Sequence, residues 1–209
     1  MPRSELANEQ IREESRQRIL DAALRVFATK GVGATISDVA EEAGISQGLA
    51  YRYFRSKEAI LATLLGQMSE SGGGASAKIR AMRGTPAEKL ELVVSSTLER
   101  RKRQPELYQL LYHVMGYDKV PEDLRELVRR YRNDLHEAMR QLVIEGQASG
   151  EIALDDPDHL VGAFLAVLDG LSRSMLTLTP EEARASIPDA RIVMRMLRPD
   201  PKATRGRTR

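Results

Sequence analysis

Cysteine is missing from all 209 residues. That excludes disulfides and thiolate metal sites, and it fits a reducing cytoplasm. No apolar run reaches the roughly 20 residues that span a bilayer, so no membrane partner is expected. The amino-terminal stretch MPRSELANEQIREESR is too polar for a signal peptide. A cytoplasmic protein is the expectation. Alternation of β-branched with polar residues is almost absent, and Pro and Gly are sparse outside short stretches. Both observations favour an all-α chain. Charge of one sign is also lacking. The formal balance is +2, and Met1–Ile60 holds nine Lys or Arg against nine Asp or Glu. Bulk charge therefore gives no support to a nucleic-acid partner, and only the placement of charge can. Catalytic groupings are absent as well. His113, His136 and His159 are too far apart for metal-ligand spacing, and neither G-x-S-x-G nor a phosphate loop occurs. Gly31-Val32-Gly33 is no dinucleotide loop, because Ile36 stands where a third glycine is needed and no strand precedes it. No enzyme activity, metal or cofactor is expected.

What is present is a succession of helical patterns. Hydrophobic residues make up 42% of the chain and charged residues 30%, enough for a sizeable core under a solvated surface. After a polar, mobile Met1–Gln10, a helix is expected over Arg12–Lys30, with Ile19, Leu20, Ala23, Leu24 and Phe27 on one face. A later helix is capped by Ser56, carries Ile60, Leu61, Leu64, Leu65 and Met68, and runs out at a flexible join, Gly72–Gly74. Four more begin at prolines, where the missing N–H is harmless: Pro86 to about Arg103, Pro105 to about Met115, Pro121 to about Ala148 and Pro157 to about Leu178. A last short pattern covers Arg191–Leu197. The basic run Arg100–Arg103 reads as a solvated face that complements a helix C-terminus. Residues Pro199–Arg209 read as a basic, disordered tail.

Between the first two patterns lies TISDVAEEAGISQGLAYRYFRSK, Thr35–Lys57. Thr35 with Asp38 three residues on forms a capping-box pattern. Gly44 suits the positive φ that follows a helix C-terminus, and Ser46 can cap a second helix. Leu49, Ala50 and Phe54 mark that helix's buried side. Gln47, Gly48, Tyr51, Arg52 and Tyr53 mark the other. Helix, glycine turn and a second helix with a polar, aromatic and basic outer side is the pattern of a helix-turn-helix DNA reader. Gln47 can pair with adenine, Arg52 can reach guanine or phosphate, Gly48 permits close approach, and Leu49 and Tyr51 can touch thymine methyls.

From about Arg16 to Leu65, including ILDAALRVFATKGVGATISDVAEEAGISQGLAYRYFRSKEAIL, the chain resembles the DNA-binding domain of the tetracycline-repressor (TetR) family of bacterial transcription regulators. The remainder resembles the family in helix layout and in the phrase EGQASGEI. The resemblance implies that Thr35, Tyr53 and Lys57 hold phosphates, beside the recognition set Ser46, Gln47, Gly48, Leu49, Tyr51 and Arg52. It also implies an all-α fold in which an N-terminal three-helix helix-turn-helix domain (1–58, core 12–58) precedes a C-terminal helical ligand-binding and dimerisation domain (59–198). The tail is then 199–209. A small-molecule chamber is implied among the C-terminal helices. Met82, Tyr108, Tyr112, His113, Met115, Met139 and Phe164 are its candidate lining, although Met and Tyr at helical spacing are more often core and His113 more often a satisfied histidine. A homodimer through the last two long helices is implied too. Val161, Phe164, Leu168, Leu171, Met175, Ile192 and Met196 are the candidate contacts, with Gly162 and Gly170 allowing close approach. Pro188 departs from the pattern. It should break the final helix, with Ser186 capping a shorter piece. The expected partners are an operator duplex, a second copy and an unidentified small-molecule effector. The rival reading is a helical small-molecule-binding or scaffold protein without DNA binding.

Overall fold

The computed structural model describes residues 2–70, 75–116 and 120–199. The glycine join at 72–74, Tyr117 and the tail from residue 200 lie outside the described residues. Among the described residues eleven α-helices follow one another, with no strand. They are α1 (Pro2–Lys30), α2 (Ile36–Glu42), α3 (Gln47–Tyr53), α4 (Lys57–Glu70), α5 (Ala75–Ala81), α6 (Pro86–Arg103), α7 (Pro105–Gly116), α8 (Glu122–Ala148), α9 (Pro157–Ser174), α10 (Pro180–Ser186) and α11 (Ala190–Met194). A 3-10 turn at Arg195–Leu197 closes the series. The chain forms two compact units, the first from residues up to Met68 with Glu106–Val128, the second from Ser69–Pro105 with residues 129 onward.

The first unit is built on α1. Its stripe of Ile19, Leu20, Ala23, Val26 and Phe27 is buried against Ile36, Val39 and Ala40 of α2, Ala50 and Phe54 around α3, and Ile60, Leu61, Leu64 and Leu65 of α4. Leu110, Val114, Val120, Leu124 and Val128 complete the same cluster. The unit holding the helix-turn-helix thus extends past residue 58, taking in α4, α7 and the first turns of α8. Helix α1 also starts earlier than expected, so residues 2–10 are helical rather than loose. Proline at the first helical position loses no hydrogen bond, and Glu5, Leu6, Ala7, Glu9 and Gln10 include good helix formers. Ala7–Gln10 are exposed, so their polarity marks the surface of a helix.

The second unit buries Leu90, Val93, Val94 and Leu98 of α6 against Leu135, Met139, Leu142 and Val143 of α8 and Val161, Phe164 and Leu168 of α9. Thr85 and Glu88 form a capping box at α6, and Glu151 accepts from Ala87 N–H at 3.2 Å. The hydrogen bonds from Thr85 and Ser149 hold the Glu151 carboxyl below its ordinary range. Arg132 makes a forked pair with Asp169 at 2.7 and 2.8 Å, tying α8 to α9. The glycine in EGQASGEI has a packing reason. A Cβ on Gly146 would overlap Ile152 Cδ1 and come within 2.7 Å of Cγ1, because the chain folds back over α8 there.

Four expectations are corrected in this unit. Helix α5 lies where the sequence suggests none, because the short ASAKIRA follows a run of glycines. Helix α9 ends at Ser174, with Met175 as its C-cap, short of Leu178. The break at Pro188 occurs, but Asp189 caps α11 by accepting from Arg191 N–H, while Ser186 Oγ donates back to the Ala183 carbonyl. Arg101 is buried at 6% exposure rather than solvated, since it continues the inward row Leu90, Val94, Leu98 at helical spacing.

Candidate nucleic-acid interface

The helix-turn-helix is set by interactions between residues three or four apart. Thr35 Oγ1 accepts from Asp38 N–H at 3.2 Å, and Asp38 Oδ2 accepts from Thr35 N–H at 2.8 Å, closing the capping box. Helix α2 ends at Glu42, and Gly44 takes φ +65° to turn the chain. Ser46 Oγ accepts from Leu49 N–H at 3.2 Å, satisfying one of the open donors at the start of α3. Ala50 and Phe54 then pin α3 to the core, and the Arg16 guanidinium lies 5.2 Å from the centre of the Phe54 ring. A cation over a ring face steadies the end of α3. No sequence pattern flags Arg16, because the two residues belong to different elements.

Anchoring one side of α3 exposes the other. Gln47, Gly48, Arg52 and Tyr51 are exposed, Tyr51 at 49%. Leu49 is half-buried, and Tyr53 packs partly on the core. Thr35 and Ser46 are exposed, so both hydroxyls stand at the surface at the starts of α2 and α3. Lys57, the first residue of α4, is half-buried and donates from Nζ to the Val32 carbonyl at 2.9 Å. An ammonium has two further donors.

Charge placement resolves the neutrality of this region. Arg25 pairs with Glu42 at 2.8 Å and Lys30 with Asp38 at 2.6 Å, so bases of α1 neutralise acids of α2. The hydrogen bonds from Lys30 and then Thr35 push the Asp38 carboxyl well below its ordinary range. Arg52 and Arg55, by contrast, have no ion-pair partner among the described residues. Two exposed bases without an acidic partner therefore stand at the end of α3.

The other candidate residues are divided between the two units. Tyr108, Tyr112, His113 and Met115 belong to the first unit, and Met82, Met139 and Phe164 to the second. Met139 and Phe164 are fully buried and Met82 packs against the same core. Tyr108 is buried, whereas Met115 is 43% exposed. The Tyr112 ring meets His113 edge-on, and His113 Nε2 donates to the Ala28 carbonyl at 3.1 Å. Of the expected dimer contacts, Val161, Phe164, Leu168 and Met175 are buried within the subunit's own second core and are not surface residues. Leu171 is half-buried, while Ile192 and Met196 are exposed. The outward side of α9 carries Gly162, Ala163, Ala166 and Gly170 instead.

Comparison with known proteins agrees with this arrangement. Residues 19–64 match the model of bacterial regulatory proteins of the tetR family, and residues 86–197 match that of the BetI-type transcriptional repressor C-terminal domain. The HTH-type transcriptional regulator BetI of Rhizobium meliloti is 29% identical over 179 residues, covering 82% of this chain and 83% of that protein. The HTH-type transcriptional regulator TtgR of Pseudomonas putida is 29% identical over 181 residues, covering 79% and 82%. The crystal structure of the MbdR regulator from Azoarcus sp. CIB shares the fold, with a TM-score of 0.71 at 22% identity over 86% of this chain and 96% of that one. These relatives are regulators of transcription rather than enzymes. The chain belongs to the tetracycline-repressor (TetR) family, and it is a DNA-binding regulator of transcription.

Proposed function

We propose that residues 12–58 read the duplex and that residues 59–198 carry the dimer contacts and the effector site. The regulator acts as a cytoplasmic homodimer. Its two α3 helices enter successive major grooves, about 34–36 Å apart, on a pseudo-palindromic operator. Gln47, Gly48, Leu49, Tyr51 and Arg52 face base edges beside Ser46, and Thr35, Tyr53 and Lys57 hold phosphates. The carrying observation is the one-sided anchoring of α3, with Ala50 and Phe54 buried while Gln47, Gly48, Tyr51 and Arg52 are exposed. The second copy docks on the outward small-residue side of α9, and Leu171, Ile192 and Met196 add to that contact.

Repression is the reading the BetI-type match favours. A small-molecule effector releases the operator by binding more tightly to a state whose reading heads no longer fit the two half-sites. Selection of duplexes from a randomised pool by the purified protein tests the operator reading. Recovery of an inverted repeat with half-sites one helical turn apart is expected. Recovery of no enriched sequence would overturn it. A thermal-shift screen of small molecules, followed by release of the selected duplex, then identifies the effector.

A further inference from the structure

The turn between α1 and α2 is held from two sides by side chains of other helices. Carbonyls in the last turn of a helix lack helical partners. In α1 one of them, Ala28, accepts from His113 Nε2 of α7 at 3.1 Å. Because the acceptor is a carbonyl, that nitrogen carries the proton. Beyond the helix end, the Val32 carbonyl accepts from Lys57 Nζ of α4 at 2.9 Å. Gly31 lies between these acceptors at φ +72°, and a Cβ built there would sit 3.5 Å from His113 Nδ1. The imidazole therefore lies directly against the turn. Gly31 in turn accepts from Ala34 N–H at 3.2 Å, delivering Thr35 to cap α2. On the Val32–Gly33 flank a cleft of about 200 Å³ opens toward Glu58, Leu61, Val120 and Pro121. Val32 and Ala34 pack into the core of this unit, and the two donors fix the backbone carbonyls of the turn on either side of Gly31.

We propose that His113 is a positioning residue for operator binding. Its bond to Ala28 holds the α1–α2 turn, and through it α2 and α3, in the arrangement that meets the duplex. The assignment rests on the operator reading above and extends it by giving α7 a direct hold on the reading head. Without the donor, other placements of the turn become populated, and apparent affinity falls in proportion to the competent fraction. His113 itself touches no DNA. Its loss therefore weakens every duplex alike and leaves the salt dependence unchanged, whereas loss of a phosphate contact reduces the salt slope.

The test compares wild type, His113→Phe, which keeps a ring without a donor, and His113→Gln, which restores a donor. Binding is read by fluorescence anisotropy on a duplex that the wild type selects from a randomised pool, and on an unrelated duplex of equal length. Loss of one hydrogen bond predicts that His113→Phe weakens both by more than about twofold and up to about fivefold, with unchanged salt slope and circular dichroism, while His113→Gln stays within about twofold of wild type. If His113→Phe does not fold, the more adaptable His113→Met takes its place with the same expected loss. A donorless variant that binds like wild type overturns the assignment alone, as does a His113→Gln variant as weak as the donorless one. A wild type that retains no duplex overturns the operator reading and this assignment with it.

Discussion

Phe164 separates two accounts of helix α9. Its apolar stripe can face a second copy or the subunit's own interior. The side chain is 0% exposed, in one cluster with Met139, Val161 and Leu168. Phe164→Ala then removes a buried aromatic ring and leaves a void that its neighbours fill only in part. Such truncations cost about 3–5 kcal/mol, against a total stability of about 5–15 kcal/mol for a natural domain. Urea denaturation followed by circular dichroism, at two protein concentrations a decade apart, reads the effect. A dimer-coupled transition shifts with concentration, by about 1.4 kcal/mol per decade, so the two contributions separate. The core placement predicts a loss of at least about 3 kcal/mol at both concentrations. Ile192→Ala, at a position 54% exposed, should shift subunit stability by no more than about 0.5 kcal/mol. If Phe164→Ala costs under about 1 kcal/mol, or acts only by raising the dimer dissociation constant, the core placement is wrong.

Other perturbations reach other parts of the chain. Gly146→Ala drives a methyl into Ile152 and should destabilise by about 1–3 kcal/mol in the same denaturation assay. Asp38 has a folded-state pKa below its ordinary 3.8, so its contribution is present above that value and lost as pH falls through the folded one. The Tm gap between wild type and Asp38→Asn should accordingly be wide at neutral pH and shrink on acidification, and a gap that widens in acid would refute the sign. Lys57→Ala should weaken all duplexes alike and lower the salt slope by about 1, while Gln47→Ala or Arg52→Ala should change base preference in a selection experiment.

The helix-turn-helix is legible in the sequence because its determinants are local. The Thr35–Asp38 box, the positive φ of Gly44 and the Ser46 cap join residues at most three apart, and the turn and both caps stand as read. Helix starts marked by Pro86, Pro105 and Pro157 are legible for the same reason. Periodicity identifies an apolar face but not what covers it, so Val161, Phe164, Leu168 and Met175 can pass for a dimer surface. Their burial depends on α6 and α8, distant in sequence. Residues 106–128 join the reading unit through packing across a long separation, and His113 reaches Ala28 across 85 positions. Arg101 is misleading because its charge points to solvent, while its spacing from Leu90, Val94 and Leu98 places it on their inward row.

Everything proposed for this regulator depends on the exposed side of α3, flanked by Arg52, Arg55 and Lys57, gripping a duplex. The affinity of the full-length protein for its selected duplex, followed as monovalent salt is varied, probes that grip without intermediaries. Tight binding at low salt is expected, with a linear fall of log K against log salt and a slope of about −0.9 for each phosphate neutralised. Absence of any retained duplex at low salt, or an affinity indifferent to salt, would show that α3 does not grip DNA.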